Sequence, residues 1–275
     1  MSIITIKRFI QDGNYRELKI AEARLEQIQE ILKENQKADG SIRMEWKDVG
    51  VVGKMMKYNV YRTNYIALNE HLLDLGILPL IADVDLSELN EDQIKVLKKY
   101  LVPGEPYVQF SPKKASRVDV SFVESEVAWL RDASFSDQAK AWRAAKGRLD
   151  TVENLYQNAR AAALKSPSLR RKRKLQYDFG SFSYLERKAS CDPEIVLSLL
   201  GAGVLIQCAK VDTTSLEECC ARGYLRKPEL NQFRQLVDVR ERYVVMEIEK
   251  EKQSQEFLNR RLQRLSYLSR NQSMA

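Results

Sequence analysis

"SDQAKAWRAAKGRLDTVENLYQNARAAALK", residues 136–165, is the stretch on which the architecture turns. Its apolar positions Trp142, Ala145, Leu149, Val152, Tyr156, Ala159 and Ala163 alternate in steps of three and four. That spacing puts all of them on one side of an α-helix, in the narrow stripe of a coiled-coil seam, and the small alanines let another helix come close. Ser136 is the expected start. Pro167 is the expected stop, because proline has no amide hydrogen to give and its ring clashes with the preceding turn. A similar seam, Leu18, Ala21, Leu25, Ile28 and Leu32, predicts a helix over residues 15–37, closed by the turn pair Asp39-Gly40.

C-terminal to the long helix stand five consecutive cations, Arg170, Arg171, Lys172, Arg173 and Lys174. After them the apolar period becomes two: Leu175, Tyr177 and Phe179, then Phe182 and Tyr184 shifted by one across Gly180. Successive strand residues face opposite sides, so this predicts a hairpin or a bulged strand, entered from a basic turn. Asp192-Pro193 opens a helix that ends at Gly201 or Gly203, "VLIQCAKV" (204–211) reads as a buried strand, and "DTTSLEECCARG" (212–223) as a capped helix. "VDVRERYVV" (237–245) alternates like a strand, yet its apolar residues with Leu230, Phe233 and Ile248 also fit a helix. The tail is helical, with Leu258, Leu262, Leu265 and Leu268 on one side.

Nearer the N-terminus a helix is expected from about Val51 to Leu75, stopping at Gly76. Asn90 with Gln93 has capping-box spacing for a short helix. Residues 103–120 hold three prolines and a glycine, the composition of a boundary. The expected fold class is therefore α+β, mainly helical: an N-terminal helical domain over 1–120, then over 121–275 a basic coiled-coil helix, a small α/β head and a C-terminal helix.

The net charge of +7 is unevenly spread. Residues 139–190 carry 13 basic and 4 acidic side chains, whereas residues 1–123 carry 18 of each. Such a block is the electrostatic footprint of a polyanion partner. Lys140, Arg143, Lys146, Arg148, Arg160 and Lys165 lie outside the apolar seam of the long helix, the run 170–174 follows, and Arg187 and Lys188 end the strand. Together they make a candidate path for a nucleic-acid backbone, in which each neutralised phosphate releases counterions.

Little in the chain supports catalysis. The single histidine, His71, falls inside a predicted helix, and Asp83, Asp85 and Glu88 precede one, where acids favour the helix dipole. No Gly-rich phosphate loop, G-x-S-x-G or H-E-x-x-H motif is present. Cys191, Cys208, Cys219 and Cys220 match no zinc spacing and read as reduced, mostly buried thiols. The expectation is a cytoplasmic binding protein with no cofactor, no enzymatic activity and no membrane contact. It is a homo-oligomer through its helical seams, and an acidic protein surface is the alternative to nucleic acid.

Residues 136–225 resemble the Gam-like host-nuclease inhibitors of Mu-type phages. The likeness rests on a long basic helix followed by Gly180, Ser181, Phe182, Tyr184 and Arg187, and then a short helix, a strand and another short helix. The resemblance implies a homodimer that encircles double-stranded DNA and blocks exonucleases, with the basic helix face and turn as the contact surface.

Overall fold

The computed structural model describes residues 2–272, with side chains over 3–264. It is α+β and 60% helical, with small antiparallel sheets. In chain order come α1 (Ser2–Gln11), α2 (Asn14–Asp39), β1 (Arg43–Trp46), β2 (Val51–Thr63), α3 (Tyr65–Asp74), α4 (Leu78–Ile81), β3 (Ala82–Val84), α5 (Glu91–Leu97) and β4 (Pro106–Pro112). There follow α6 (Phe122–Val127), α7 (Phe135–Leu164), α8 (Pro167–Lys172), β5 (Lys174–Tyr177), β6 (Gly180–Glu186) and α9 (Pro193–Leu200). The last are α10 (Ala202–Cys208), β7 (Ala209–Val211), α11 (Thr213–Ala221), α12 (Lys227–Gln232), β8 (Arg234–Glu247) and α13 (Ile248–Gln272).

These elements form two compact units that interleave along the chain. One comprises Met1–Met56, Glu105–Arg187 and Arg242–Lys252, the other Lys57–Gly104, Lys188–Glu241 and Gln253–Ala275. The expected cut at residue 120 is not where the chain divides. Residues 103–120 instead hold β4, which pairs with β6 from Pro106↔Glu186 to Pro112↔Gly180. Prolines are tolerated there because β4 is an edge strand of the order β4-β6-β5.

In the first unit α7 starts one residue earlier than expected, at Phe135, because the Ser134 hydroxyl accepts the Asp137 amide hydrogen at 3.2 Å. Leu18, Ala21, Ile28 and Leu32 of α2 and Trp142, Ala145, Val152, Ala159 and Ala163 of α7 are buried. α2 and α1 both pack on α7, so the two seams are covered within the unit. That removes the reason for expecting oligomers through them. One core gathers Ile31, Leu32, Trp46, Val51, Trp142 and Tyr243; a second gathers Ile6, Phe9, Phe110, Val152, Leu169 and Phe182. At roughly 1.5–3 kcal/mol per buried large side chain, these contacts hold the helices and the hairpin as one body.

The helix expected from Val51 is a strand for its first half. Val51, Val52, Tyr58, Val60, Tyr61 and Thr63 are β-branched or aromatic, and the turn at Gly50 (φ 72°) brings β2 against β1 with Trp46 opposite Val51. α3 then starts at Tyr65, capped by the Asn64 side chain. β8 adds to the other edge of β2. The Asn64 amide donates to Phe233 O at one end of this ribbon, and the Ile248 amide to Gly50 O at the other, so the two strands are antiparallel.

The second unit packs its helices and the β3–β7 pair around Leu68, Leu72, Leu78, Leu97, Val196, Leu205 and Leu216. The segment 204–208, expected as a strand, is the helix α10: Leu205 and Cys208 point inward at helical spacing, and only Ala209–Val211 is extended. Buried Asn69 secures the change, donating through Nδ2 to Ile206 O and Ala209 O at 2.9 Å. The capping box Asn90–Gln93, the Asp192-Pro193 start and the Asp212 cap all form. Leu265 and Leu268 of the tail seam lie outside the described side chains. Among the described residues no helix is long and apolar enough to cross a membrane.

Candidate nucleic-acid interface

The basic run is not a turn. Pro167 occupies the first turn of α8, where its missing N–H costs nothing, and fully buried Leu169 anchors this short helix in the core. Arg170, Arg171 and Lys172 form its last turn, where cations meet the negative end of the helix dipole. Arg173 ends it with φ 59°, the one described non-glycine residue at positive φ, and Lys174 begins β5. This reversal is what turns the chain from helix into hairpin.

β5 and β6 pair from Lys174↔Ser183 to Tyr177↔Gly180, so the hairpin alternative holds. Gly180 is required by close approach: a Cβ there would lie 2.5 Å from Ser111 O and 2.7 Å from the Phe110 ring. Phe182 is buried, and Tyr177, Phe179 and Tyr184 are partly buried against the same core. The aromatic alternation is thus packing.

The cations differ sharply in how they are engaged. All five on α7 have partners within their unit: Lys140 with Asp137 at 3.3 Å, Lys146 with Asp150, Arg148 with Glu17, Arg143 on Val49 O, and Arg160 on Val108 O at 2.8 Å. Arg160 also lies 5.6 Å from the Tyr156 ring centroid. Arg170 is exposed and donates through Nε to Leu164 O at 2.9 Å, closing the end of α7. Arg173 bonds Glu186 at 2.6 Å and lies over Tyr184 at 4.9 Å; the Glu186 carboxylate holds its pKa above the usual guanidinium value.

Lys165, Arg171, Lys172 and Lys174 are exposed, and no carboxylate of the described residues lies within ion-pair distance of them. With Arg170 they form a corner of concentrated, uncompensated charge at the junction of α7, α8 and β5. Arg187 is exposed in the same unit, with its backbone N–H donating to Glu105 O at 3.0 Å. Lys188 belongs to the second unit, 3.8 Å from Asp85.

Two cations near the hairpin were not anticipated. α1 brings Lys7 to 5.3 Å from the Tyr177 ring centroid, and the Lys113 amide donates to Phe179 O at 3.1 Å beside the hairpin loop. Both come from the charge-balanced N-terminal part of the sequence, so composition gave no sign of them.

The groups weighed for catalysis have structural surroundings. Asp85 accepts from Ser87 and faces Lys210 at 2.5 Å; that lysine first, then Ser87, holds its carboxyl well below the usual range. The His71 ring lies against Phe233, with centroids 5.2 Å apart and the planes tilted by 32°. The four cysteines are unbridged, and burial pushes each thiol up, away from the reactive thiolate. Among the described residues no group of His, Cys, Asp and Glu is arranged to hold a metal ion. No protein-family model, curated protein or solved structure matches this chain.

Proposed function

We propose that the protein binds the phosphate backbone of double-stranded DNA through the α7–α8–β5 corner, as a non-enzymatic binding protein. The observation that carries this reading is the contrast in engagement. The α7 cations are matched by carboxylates and carbonyls, whereas Arg171, Lys172 and Lys174 stand exposed and unmatched on two consecutive elements. Like charges held this close repel one another, and polyphosphate relieves that repulsion while releasing its own counterions. Leu169 and the hairpin fix the corner on a packed core, so little order has to be gained on binding. Arg and Lys side chains on an outward corner reach phosphates without entering a groove, which predicts little sequence preference.

The biological use we attach to this binding is protection of DNA from host nucleases in a phage or mobile-element setting, which rests on the resemblance of residues 136–225 to the Gam-like inhibitors. The test is fluorescence anisotropy with labelled duplex DNA, RNA and polyglutamate at several salt concentrations, followed by exonuclease digestion of linear duplex with and without protein. The expected result is salt-sensitive binding of the duplex and slowed digestion. Binding of polyglutamate in preference to DNA would transfer the corner to an acidic protein partner, and binding of neither would end the proposal.

A further inference from the structure

The β2–β8 ribbon is bare over residues 57–63 and 234–241. Among the described residues no strand pairs with the outer edge of β8. Residues 235–242 are all exposed, with Leu236, Val237 and Val239 at 49, 52 and 50%. Leu236, Asp238 and Arg240 face one side, and Val237, Val239 and Glu241 the other, so neither face is purely polar. A two-stranded ribbon uncovered on both faces is marginal in water, and a long unpaired edge is a template for another strand. Three of its four cations are engaged within the ribbon. Lys57 lies 3.7 Å from Glu241, Arg240 bonds Asp238 at 2.9 Å, and Arg234 lies 4.6 Å from the Tyr61 ring centroid.

We infer that β8 pairs antiparallel, edge to edge, with β8 of a second copy of this chain, about a two-fold axis through Val239. A two-fold axis relating neighbouring antiparallel strands stands normal to the sheet and keeps every side chain on its own face. The axis must therefore pass through a residue rather than between two. Centred on Val239, Asp238 of each copy faces Arg240 of the other, Val237 faces Glu241, and Leu236 faces Arg242. No like charges oppose. Shifting the centre to Asp238 sets Asp238 against itself and Arg234 against Arg242; shifting it to Val237 sets Arg234 against Arg240; shifting it to Arg240 sets that arginine against itself. Opposite charges directly across a strand pair stabilise it and like charges destabilise it, so of the four centres from Val237 to Arg240 only Val239 avoids like-charge opposition. The inference is independent of DNA binding.

Charge exchange tests it. Sedimentation at micromolar concentration should give twice the 31.8 kDa chain mass for the wild type. Asp238→Arg and Arg240→Asp, each placing like charges across the axis twice, should raise the dimer dissociation constant about tenfold or more, and the double exchange should restore it. Val239→Cys, on the axis, should form an intermolecular disulfide under mild oxidation, since directly opposed residues lie about 4.5–5.5 Å apart at Cα, within disulfide reach. Gln235→Cys should not. A monomeric wild type, or a dimer indifferent to both single exchanges, overturns the inference. Should an exchanged variant fail to fold, the two cysteine variants decide: equal crosslinking at 235 and 239, or none at 239, overturns it too.

Discussion

Gly53→Ala is expected to destabilise the first unit, against the usual sign. Glycine in mid-strand normally costs about 0.5–1 kcal/mol relative to alanine, so the substitution would ordinarily help. Here a Cβ would lie 2.5 Å from Tyr243 Oη, 2.6 Å from Gln36 Oε1 and 2.9 Å from the Trp46 ring. None of these can move freely. Gln36 is fully buried and pinned by Nε2 bonds to Ser41 O at 3.0 Å and Gly53 O at 3.2 Å, and Tyr243 Oη donates to Gln36 Oε1 at 2.9 Å. Overpacking costs about 1–3 kcal/mol, and a buried hydrogen bond broken on one side about 1–3 kcal/mol. After the intrinsic gain, a net loss of roughly 2–4 kcal/mol remains, which at about 2–4 °C per kcal/mol for a unit of this size lowers its melting transition by roughly 5–15 °C. Calorimetry measures this directly, and near-ultraviolet circular dichroism reports the packing of Trp46 and Tyr243. A Gly53→Ala protein that melts at or above the wild-type temperature would refute the packing described around Gln36.

At Arg173, glycine should be better tolerated than alanine by about 1 kcal/mol, because both lose the Glu186 bond but only alanine keeps the strain of positive φ; comparing the melting of the two variants checks it, and equal melting contradicts it. Buried Glu251 bonds Arg43 at 2.7 Å and Lys54 at 3.0 Å, and Arg43 first holds its carboxyl below the usual range. A depressed folded-state pKa contributes stability that is present above the unfolded value and lost as pH falls through the folded one. Glu251→Gln should therefore cost roughly 1–3 kcal/mol at neutral pH, less than a fully buried pair because both partners are partly exposed, and the gap to wild type in urea midpoint should narrow on acidification below about pH 4.5. A gap that stays constant with pH would assign the effect to packing.

What could be read from the sequence was local. α2 and α7 were legible because their apolar spacing is helical and most of the seam residues are buried, and the caps at Asn90, Asp192 and Asp212 were legible because each is completed within three residues. β2 is ambiguous in the sequence because Val51, Met55 and Met56 suit either period; what decides it is pairing with β1 and with β8, far along the chain. "VLIQC" looks like a strand by composition, and only inward packing of Leu205 and Cys208 and the bonds from Asn69 make it a helix. In the basic run the helix signals were present in Pro167 and Leu169 but were outweighed by the charge. The cluster of cations was visible as composition. Which of them are matched was not, because Arg148 meets Glu17, Arg143 meets Val49 and Arg160 meets Val108, all distant in sequence.

If the unmatched corner grips phosphate, the salt dependence of DNA affinity must change in the variant carrying Arg171→Gln, Lys172→Gln and Lys174→Gln. These three are chosen because Arg170 and Arg173 also hold Leu164 O and Glu186. The melting temperature should stay near that of the wild type, since none of the three is buried. Each phosphate contact removed should flatten the slope of log affinity against log salt by about 0.9, so the expected complex is weaker and its slope shallower by up to roughly 2.7. A folded variant that binds duplex DNA with wild-type affinity and wild-type slope would contradict it.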